Sequence, residues 1–392
     1  MTLPLGFRYA SVYAGIRKVK KDDLALIVSD QPASAAAVLT RNLVQAAPIR
    51  LCREHLRASS GRARAIVVNA GNANCATRTG GRVALATCRA AAKLLKAPVN
   101  QILPASTGVI GVELDARRIT DALPALVKSL SPERFSAVSQ AILTTDLKPK
   151  TAFAEISIGG GTVLIAGMTK GSGMIHPRMA TTLGFLMTDA VIAPRDLRPM
   201  LVAATERSYN RLSVDGDTST NDIVILLANG ASGLKPDKKD LRMFREVLAW
   251  VMEDLAEQIA RDGEGAAKQI TIHVSGARTE DGAVQIGRAI ANSPLVKTAI
   301  AGSDPNWGRI LSAAGNSGIR FDPAKVDIYL QGIRVCHCGL ADDFEEAALS
   351  KKLNAPSCLI RFVIQGQGRG EGRFWTCDLT KGYIDINASY RT

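Results

Sequence analysis

Residues 170–183 read Lys170-Gly171-Ser172-Gly173-Met174-Ile175-His176-Pro177-Arg178-Met179-Ala180-Thr181-Thr182-Leu183. In this stretch a glycine-rich segment is followed by a threonine, Thr181, and then by an apolar run. A threonine hydroxyl is a usable nucleophile only when a base lies beside it, and a chain cut just before Thr181 would supply one as a new α-amino group. Such an amine has an ordinary pKa of about 7.7 to 8.0, close to working pH. Thr181 is therefore the leading catalytic candidate.

Length and composition are those of an ordinary globular protein. The chain has 392 residues, 46% of them hydrophobic, and a mean hydropathy of +0.07, so it can bury a sizeable core in two or three lobes. Residues 1–23 mix apolar and charged side chains and lack the apolar centre of a secretory signal. Because no run of 18 apolar residues occurs, we expect no membrane span and no membrane partner.

The cysteines indicate a reducing compartment. There are seven, an odd number, and most lie within apolar runs: Cys52, Cys75, Cys88, Cys336, Cys338, Cys358 and Cys377. Such a pattern is typical of buried thiols and predicts a cytoplasmic location. Cys336-His337-Cys338 lacks the second ligand pair of a zinc site, and alternation along a strand explains it better. We therefore predict no metal and no cofactor.

The charge of the chain is unevenly distributed. Its net charge is +13, with 24 basic and 10 acidic residues in 1–180 and 25 basic and 26 acidic residues in 181–392. A basic balance can indicate a nucleic-acid partner. Here the basic residues are dispersed and aromatic residues make up only 5%, so there is no stacking platform. A solvated basic surface is the better interpretation, and we predict no nucleic-acid partner.

The order of elements predicts an α/β fold with layered sheets and helices. Strand-like runs and amphipathic helices alternate without a repeat of fixed period. The predicted strands are 65–69, 153–158, 163–168, 269–274, 326–330, 333–335, 358–364 and 382–387. The predicted helices are 83–95, 115–130, 194–209 and 239–260.

Several polar segments could carry acyl-transfer chemistry, which needs a base, oxyanion donors and groups that hold the substrate. Ser106-Thr107-Gly108 offers a hydroxyl and an accessible backbone N–H, although taken alone this segment is better explained by an ordinary turn after Pro104. Lys170 and Glu264 could hold a charged small molecule; a solvated loop is the alternative for Glu264 between its two glycines. Segments 144–146 and 213–222 could line a site or form turns. Segment 302–309 is turn-like, and its Asp, Asn and Arg side chains could form a hydrogen-bond network.

Taken together, these motifs resemble one known family. The matching segments are Lys170 to Leu183, Ser106-Thr107-Gly108-Val109-Ile110-Gly111, Val214-Asp215-Gly216-Asp217-Thr218-Ser219-Thr220-Asn221-Asp222, Gly263-Glu264-Gly265-Ala266, Gly302 to Arg309, and Asn387 with Thr392. In this order they resemble the ornithine acetyltransferase (glutamate N-acetyltransferase) family of arginine biosynthesis. The resemblance extends from Gly6 to the last residue.

The resemblance implies an α/β fold, an α+β layered sandwich of the ornithine acetyltransferase and DmpA-like type. It also implies self-cleavage between Ala180 and Thr181 into an α chain, 1–180, and a β chain, 181–392. Thr181 would take an acetyl group from N2-acetyl-L-ornithine and pass it to L-glutamate in a ping-pong cycle. Some members also use acetyl-CoA, and no residue here distinguishes the two cases. The family pattern further implies a heterotetramer of two α and two β chains.

Residue roles follow from the same resemblance. Thr107 and Gly108 would form the oxyanion hole. Substrate contacts would fall on Thr144, Lys170, Thr181, Glu264, Asn387 and Thr392. One cation and one anion suit a zwitterionic amino acid, and acetyl transfer needs neither ATP nor a metal.

Two departures and two alternatives accompany this interpretation. Arg178 stands where many relatives carry Asn, and Thr182 stands where Met is common and offers a competing hydroxyl. The same N-terminal threonine with water as acceptor would make an amidase or aminopeptidase. A basic nucleic-acid-binding protein is the alternative from another class, and it rests on net charge alone.

Overall fold

Two β-sheets organise residues 2–176 and 182–389, the part of the chain that the computed structural model describes. The eight strands of the first sheet are β1 (Phe7–Val12), β2 (Leu24–Leu39), β3 (Arg62–Asn72), β4 (Ile102–Val109), β5 (Lys150–Ile158), β6 (Gly161–Lys170), β7 (Leu183–Thr188) and β8 (Ile223–Ala228). Their order is β4-β3-β2-β8-β7-β6-β5, with β1 paired to β2. The pairs β3–β4 and β7–β8 are parallel and the other pairs are antiparallel.

The second sheet is built from the C-terminal part of the chain. Its six strands are β9 (Gln269–Ala277), β10 (Val326–Leu330), β11 (Ile333–His337), β12 (Leu340–Ala341), β13 (Ser357–Ile364) and β14 (Gly370–Cys377), in the order β12-β11-β10-β13-β9-β14. Side chains alternate along β9, where Ile270, Ile272 and Val274 are buried and the residues between them are less so. This period of two gives the sheet one apolar face.

Helices cover both sheets. In the described residues they are α1 (Ala47–Ala58), α2 (Gly80–Leu95), α3 (Ala116–Thr120), α4 (Leu123–Lys128), α5 (Phe135–Ala141), α6 (Pro194–Arg207), α7 (Lys238–Arg261), α8 (Glu280–Ala291), α9 (Pro294–Ala301), α10 (Trp307–Gly315), α11 (Glu346–Leu353) and α12 (Lys381–Ser389). Helices α8 to α11 share an apolar cluster with the second sheet. Helices α6 and α7 share one with β5 to β8.

Strands β7 and β8 are buried on both faces. Leu186 and Val224 pack in the cluster that contains α7, whereas Phe185 and Ile225 pack in a second cluster with residues of β1 and β2. Burial on both sides explains why these strands are continuous apolar runs rather than alternating ones. The predicted α/β layered fold is therefore confirmed. None of the helices in the described part of the chain is long and apolar enough to cross a membrane.

Most predicted elements are present, but the helix predicted at 115–130 is wrong as a single element. Asp115 caps the short helix α3 by accepting from the Arg117 N–H at 3.0 Å, and α4 begins separately at Leu123. Pro124 lies in the first turn of α4. Proline lacks an N–H, and its ring would clash with the carbonyl of Thr120 if one helix continued.

The strand predicted at 382–387 is also wrong, because this segment belongs to helix α12. Its alternating pattern is overridden by tertiary contacts. The Thr380 hydroxyl donates to the Gly265 carbonyl at 2.5 Å, and the Tyr383 hydroxyl lies 3.3 Å from an Asp215 carboxylate oxygen. In a helix Tyr383 and Asn387 lie on the same face, since they are four residues apart. That face is directed at the site described next.

Candidate active site

A pocket of about 220 Å³ gathers the predicted site residues. Its lining includes Thr107, Gly108, Thr144, Lys170, Glu264 and Asn387. These residues come from segments far apart in the sequence, so the pocket brings together what only the family resemblance had connected. The other three predicted site residues, Ala180, Thr181 and Thr392, lie outside the residues that the structure describes.

Strand register brings the start of β7 to the end of β6, where Lys170 lines this pocket. Lys170, the last residue of β6, pairs with Leu183, the first residue of β7. Leu183 in turn pairs with Ile223 at the start of β8. In the sequence, the predicted nucleophile Thr181 precedes Leu183 by two residues.

The predicted oxyanion segment is the end of β4. Gly108 has φ +128° and faces Gly71 of the parallel strand β3 so closely that a Cβ atom would lie 2.2 Å from the Gly71 carbonyl carbon. Only glycine fits this position. The Asn221 side-chain amide donates to the carbonyls of Ser106 at 2.8 Å and Ala73 at 2.7 Å, which fixes the strand end.

The Thr107 hydroxyl is oriented by its neighbour. Its oxygen accepts a hydrogen bond from the Lys170 Nζ at 3.3 Å, and Thr107 is 7% exposed. A hydroxyl has one proton to donate. The Lys170 ammonium group donates to a lone pair of this oxygen, so the hydroxyl proton remains able to donate to another acceptor in the pocket.

Two opposite charges face the pocket. Lys170 is 4% exposed and Glu264 is 9% exposed. Burial lowers the pKa of Lys170 from its ordinary value. The Asn387 amide donates to the Glu264 carboxylate at 2.9 Å, and the Glu264 N–H donates to the Ser172 carbonyl at 2.8 Å. A buried cation and a buried anion in one pocket match a zwitterionic ligand.

The turn after β6 is held by carboxylates that the sequence motifs did not single out individually. Asp215 accepts from the Met174 N–H at 2.6 Å and from the Ile175 N–H at 2.9 Å, and Met174 has φ +56°. Burial raises the pKa of Asp215 above its ordinary value. The segment 213–222 was predicted to line a site or form turns, and in Asp215 it does both.

Asp222 lies directly behind the start of β7. One of its carboxylate oxygens accepts from the Thr182 N–H at 2.9 Å, and the carboxyl is 1% exposed. Burial raises the pKa of Asp222 well above its ordinary value. Its second oxygen and the Thr182 hydroxyl are buried with no hydrogen-bond partner among the described residues.

Other predicted segments lie away from the pocket. Asn306 caps α10 and bonds to Asp304, so segment 302–309 organises helix ends. Asp327, His337 and Cys338 form the one group in residues 2–176 and 182–389 whose ligand atoms are close enough for a metal ion. The Asp327 oxygen nearest to them already accepts from His337 Nδ1 and the Cys338 N–H, each at 3.0 Å. Two remaining ligand atoms fall short of a structural zinc site, and the absence of a metal stays a prediction.

Comparison with known proteins decides the family. The family model of the ArgJ family matches residues 8–392. The chain belongs to the ArgJ family. It is similar to the arginine biosynthesis bifunctional protein ArgJ of Symbiobacterium thermophilum, with 45% identity over all of this chain and 98% of that protein. The protein of the same name from Bradyrhizobium diazoefficiens is 43% identical over all of this chain and 96% of its own length.

A solved structure of the same family supports the fold. The crystal structure of arginine biosynthesis bifunctional protein ArgJ from Bacillus halodurans is 40% identical, with a TM-score of 0.51. The match covers 53% of this chain and 98% of that chain, so the solved polypeptide is about half as long. The resemblance predicted from the motifs is thus confirmed. The chain is an acetyltransferase enzyme of arginine biosynthesis.

Proposed function

We propose that this enzyme transfers an acetyl group from N2-acetyl-L-ornithine to L-glutamate through an acetylated Thr181. One observation carries the proposal. A single pocket combines the ammonium of Lys170, the carboxylate of Glu264 and the strand end at Thr107, beside the strand that Thr181 precedes. Cationic and anionic anchors suit both amino-acid substrates, which share an α-carboxylate and carry an ammonium group.

Self-cleavage would first create the catalytic base. Breaking the Ala180–Thr181 peptide bond gives chains 1–180 and 181–392 and frees the α-amino group of Thr181. The half-length relative in the crystal structure supports two separate chains. Each chain would contribute to the pocket, since Thr107 and Lys170 belong to the first and Glu264 and Asn387 to the second.

The acetyl transfer then takes two balanced steps. In the first, the Thr181 hydroxyl attacks the acetyl carbonyl, its proton passes to the free amine, and the C–N bond to ornithine breaks as the leaving nitrogen takes that proton. In the second, the uncharged glutamate amine attacks the acetyl ester, the ester C–O bond breaks, and the proton lost by the nitrogen passes through the Thr181 α-amine to the released Thr181 hydroxyl. The oxyanion of each step would be stabilised by the Thr107 hydroxyl and the Gly108 N–H.

The acceptor distinguishes this enzyme from a hydrolase built on the same nucleophile. Purified protein is incubated with acetylornithine, with and without glutamate, and ornithine, acetate and N-acetylglutamate are quantified. We expect glutamate to accelerate ornithine release and N-acetylglutamate to appear in equal amount. Acetate released at the same rate whatever the acceptor would instead identify an amidase.

Acetyl-CoA is the second donor to test, because the relatives are named bifunctional. We propose that the same acetyl-Thr181 forms from the thioester, with CoA as the leaving group. Protein, glutamate and acetyl-CoA are combined without acetylornithine, and free thiol is followed over time. Thiol release that depends on glutamate supports the second activity. If the same protein transfers acetyl groups from acetylornithine but releases no thiol from acetyl-CoA, the enzyme uses one donor only.

The assembly and compartment also belong to the proposal. A heterotetramer of two α and two β chains would have twice the 41.6 kDa mass of the single chain, measurable by light scattering. All seven cysteines are free and six are buried, which supports a reducing, cytoplasmic location.

Gly173 should be essential for binding the substrate ammonium group. A Cβ atom at this position would lie 2.2 Å from a Glu264 carboxylate oxygen, so Gly173→Ala must displace that carboxylate. Loss of one charged hydrogen bond predicts a roughly 10- to 100-fold higher KM for both amino acids. Gly81→Ala is the matched control, because a Cβ there meets nothing within 4 Å. Equal KM values for the two variants would contradict this role of Glu264.

A further inference from the structure

Two buried charged residues, Asp146 and Lys150, form a cluster with the partly buried Asp262, the Asp146–Lys150–Asp262 triad. The Lys150 Nζ lies 2.7 Å from Asp146 Oδ1 and 2.6 Å from Asp262 Oδ2. The side chains of Lys150 and Asp146 are 2% and 0% exposed, and that of Asp262 is 10% exposed. Burying charges is costly unless each is paired, so such a cluster requires a compensating function or very good geometry.

Asp146 ties two substrate-binding segments together. Its Oδ2 accepts from the Thr144 N–H at 3.0 Å, and its Oδ1 accepts from the Gly171 N–H at 2.6 Å. Thr144 lines the pocket, and Gly171 directly follows Lys170. One carboxylate thus sets the distance between Thr144 and the end of β6.

Asp262 connects a third segment to the same cluster. Its Oδ2 accepts from the Leu147 N–H at 3.0 Å, and Asp262 precedes Glu264 by two residues. The loop that carries Glu264 is therefore anchored to the loop that carries Thr144. Asp146 and Asp262 meet at Lys150, whose ammonium group is the centre of the triad.

The charges around Lys170 single out Asp146. Burial lowers the pKa of Lys170, the negative charge of Asp146 opposes this most strongly, and the other charged neighbours are Lys150, Glu264 and Asp222. Burial raises the pKa of Asp222 well above its ordinary value, which weakens its negative charge. Burial would also raise the pKa of Asp146, but the charges of Lys170 and Lys150 bring it well below the ordinary value. The Asp146 carboxyl group therefore stays ionised and supplies a negative charge near Lys170.

We propose that Asp146 is a positioning residue of the acetyltransferase, which holds Thr144 and the Lys170–Gly171 turn in place and keeps the Lys170 ammonium charged to bind the substrate α-carboxylate. This inference rests on the proposed function of the pocket. Asp146 is not among the described residues that line the pocket, and it acts through Lys170 and the Gly171 N–H.

The test compares pH profiles. kcat and KM for L-glutamate are measured between about pH 6 and pH 10 for the mature wild-type enzyme and for Asp146→Asn. Lys170 binds a carboxylate only when protonated, so kcat/KM falls as the pH rises through its pKa. Removing the Asp146 charge lowers that pKa further, so the decrease of kcat/KM at alkaline pH should begin roughly one pH unit lower. At pH values above this decrease, KM for L-glutamate should be roughly tenfold higher than in wild type.

Lys150→Met is the matched variant. It breaks the same Lys150–Asp146 ion pair but removes a positive charge near Lys170, so the alkaline fall should move to higher pH. A purely structural role predicts the same change in both variants. Profiles that move together, or that stay in place in folded protein, overturn the proposal. If Asp146→Asn does not fold, Lys150→Met alone tests the proposal: a decrease of kcat/KM that begins at higher pH than in wild type supports it, and an unchanged profile overturns it.

Failure of the proposed function would be distinguishable. A wild-type enzyme without acetyl transfer refutes that function, whereas binding of L-glutamate by calorimetry over the same pH range still tests Asp146. As the pH increases, the dissociation constant should begin to rise at a lower pH in Asp146→Asn than in wild type, and this result supports the inference. Identical binding curves for the two proteins refute it.

Discussion

Thr181→Ala is expected to remain a single 41.6 kDa chain and to transfer no acetyl group. The same hydroxyl would attack the Ala180 carbonyl during cleavage and the acetyl carbonyl during transfer, so one substitution removes both reactions. Wild-type protein should instead run as two chains on a denaturing gel, and mass spectrometry should find a β chain that begins Thr-Thr-Leu. A single chain that persists in fully active wild-type protein would disprove the processing.

Thr182→Val is the control for the neighbouring hydroxyl. The Thr182 side chain is buried, and its Oγ1 has no partner among the described residues, so valine can replace it without breaking a hydrogen bond to any of these. We expect cleavage and transfer to continue, because the Thr182 N–H that bonds to Asp222 is retained. A β chain that begins Thr-Leu in wild type, or loss of cleavage in Thr182→Val but not in Thr181→Ala, would move the nucleophile to Thr182.

The central motif could be recognised from sequence because glycine, charge and threonine stand next to one another. Lys170 and the glycines that follow it are local features, and the structure indeed puts Lys170 at the end of a strand beside the pocket. Glu264 lies some ninety residues further on, and its flanking glycines are equally typical of a surface loop. Only the order of the motifs linked Lys170 with Glu264. The 2.9 Å hydrogen bond from the Asn387 amide to the Glu264 carboxylate could not be inferred from any local pattern.

The contacts between the supporting residues escaped the sequence analysis for a physical reason. Asp146, Lys150 and Asp262 are residue types that usually face water, and nothing in their spacing shows that Asp146 and Lys150 are buried with Asp262 beside them. Helix α12 escaped because its alternating pattern favours a strand in isolation, whereas packing of Gly382 against Gly265 decides the conformation. Local propensity predicts elements, but long-range packing selects among them.

Thr107→Val should slow the chemical step rather than weaken binding. Valine has the shape of threonine and lacks the O–H that would stabilise the oxyanion, so kcat should fall about 10²- to 10³-fold. KM for glutamate should change only a few-fold, because Lys170 and Glu264 remain. Steady-state kinetics of cleaved, purified protein measure both values, and the gel also reports slower self-cleavage, which passes through a similar oxyanion.

Ser106→Ala provides the comparison on the same strand. Neighbouring residues of a strand point to opposite faces, and the Ser106 hydroxyl donates to Asn69 at 2.5 Å, away from Lys170. Its removal should leave kcat within a few-fold of wild type. If both variants lose activity equally, the effect comes from disturbing the end of β4. If Thr107→Val keeps the wild-type kcat, Gly108 alone would have to serve the oxyanion, and the orientation of the Thr107 hydroxyl by Lys170 would have another purpose.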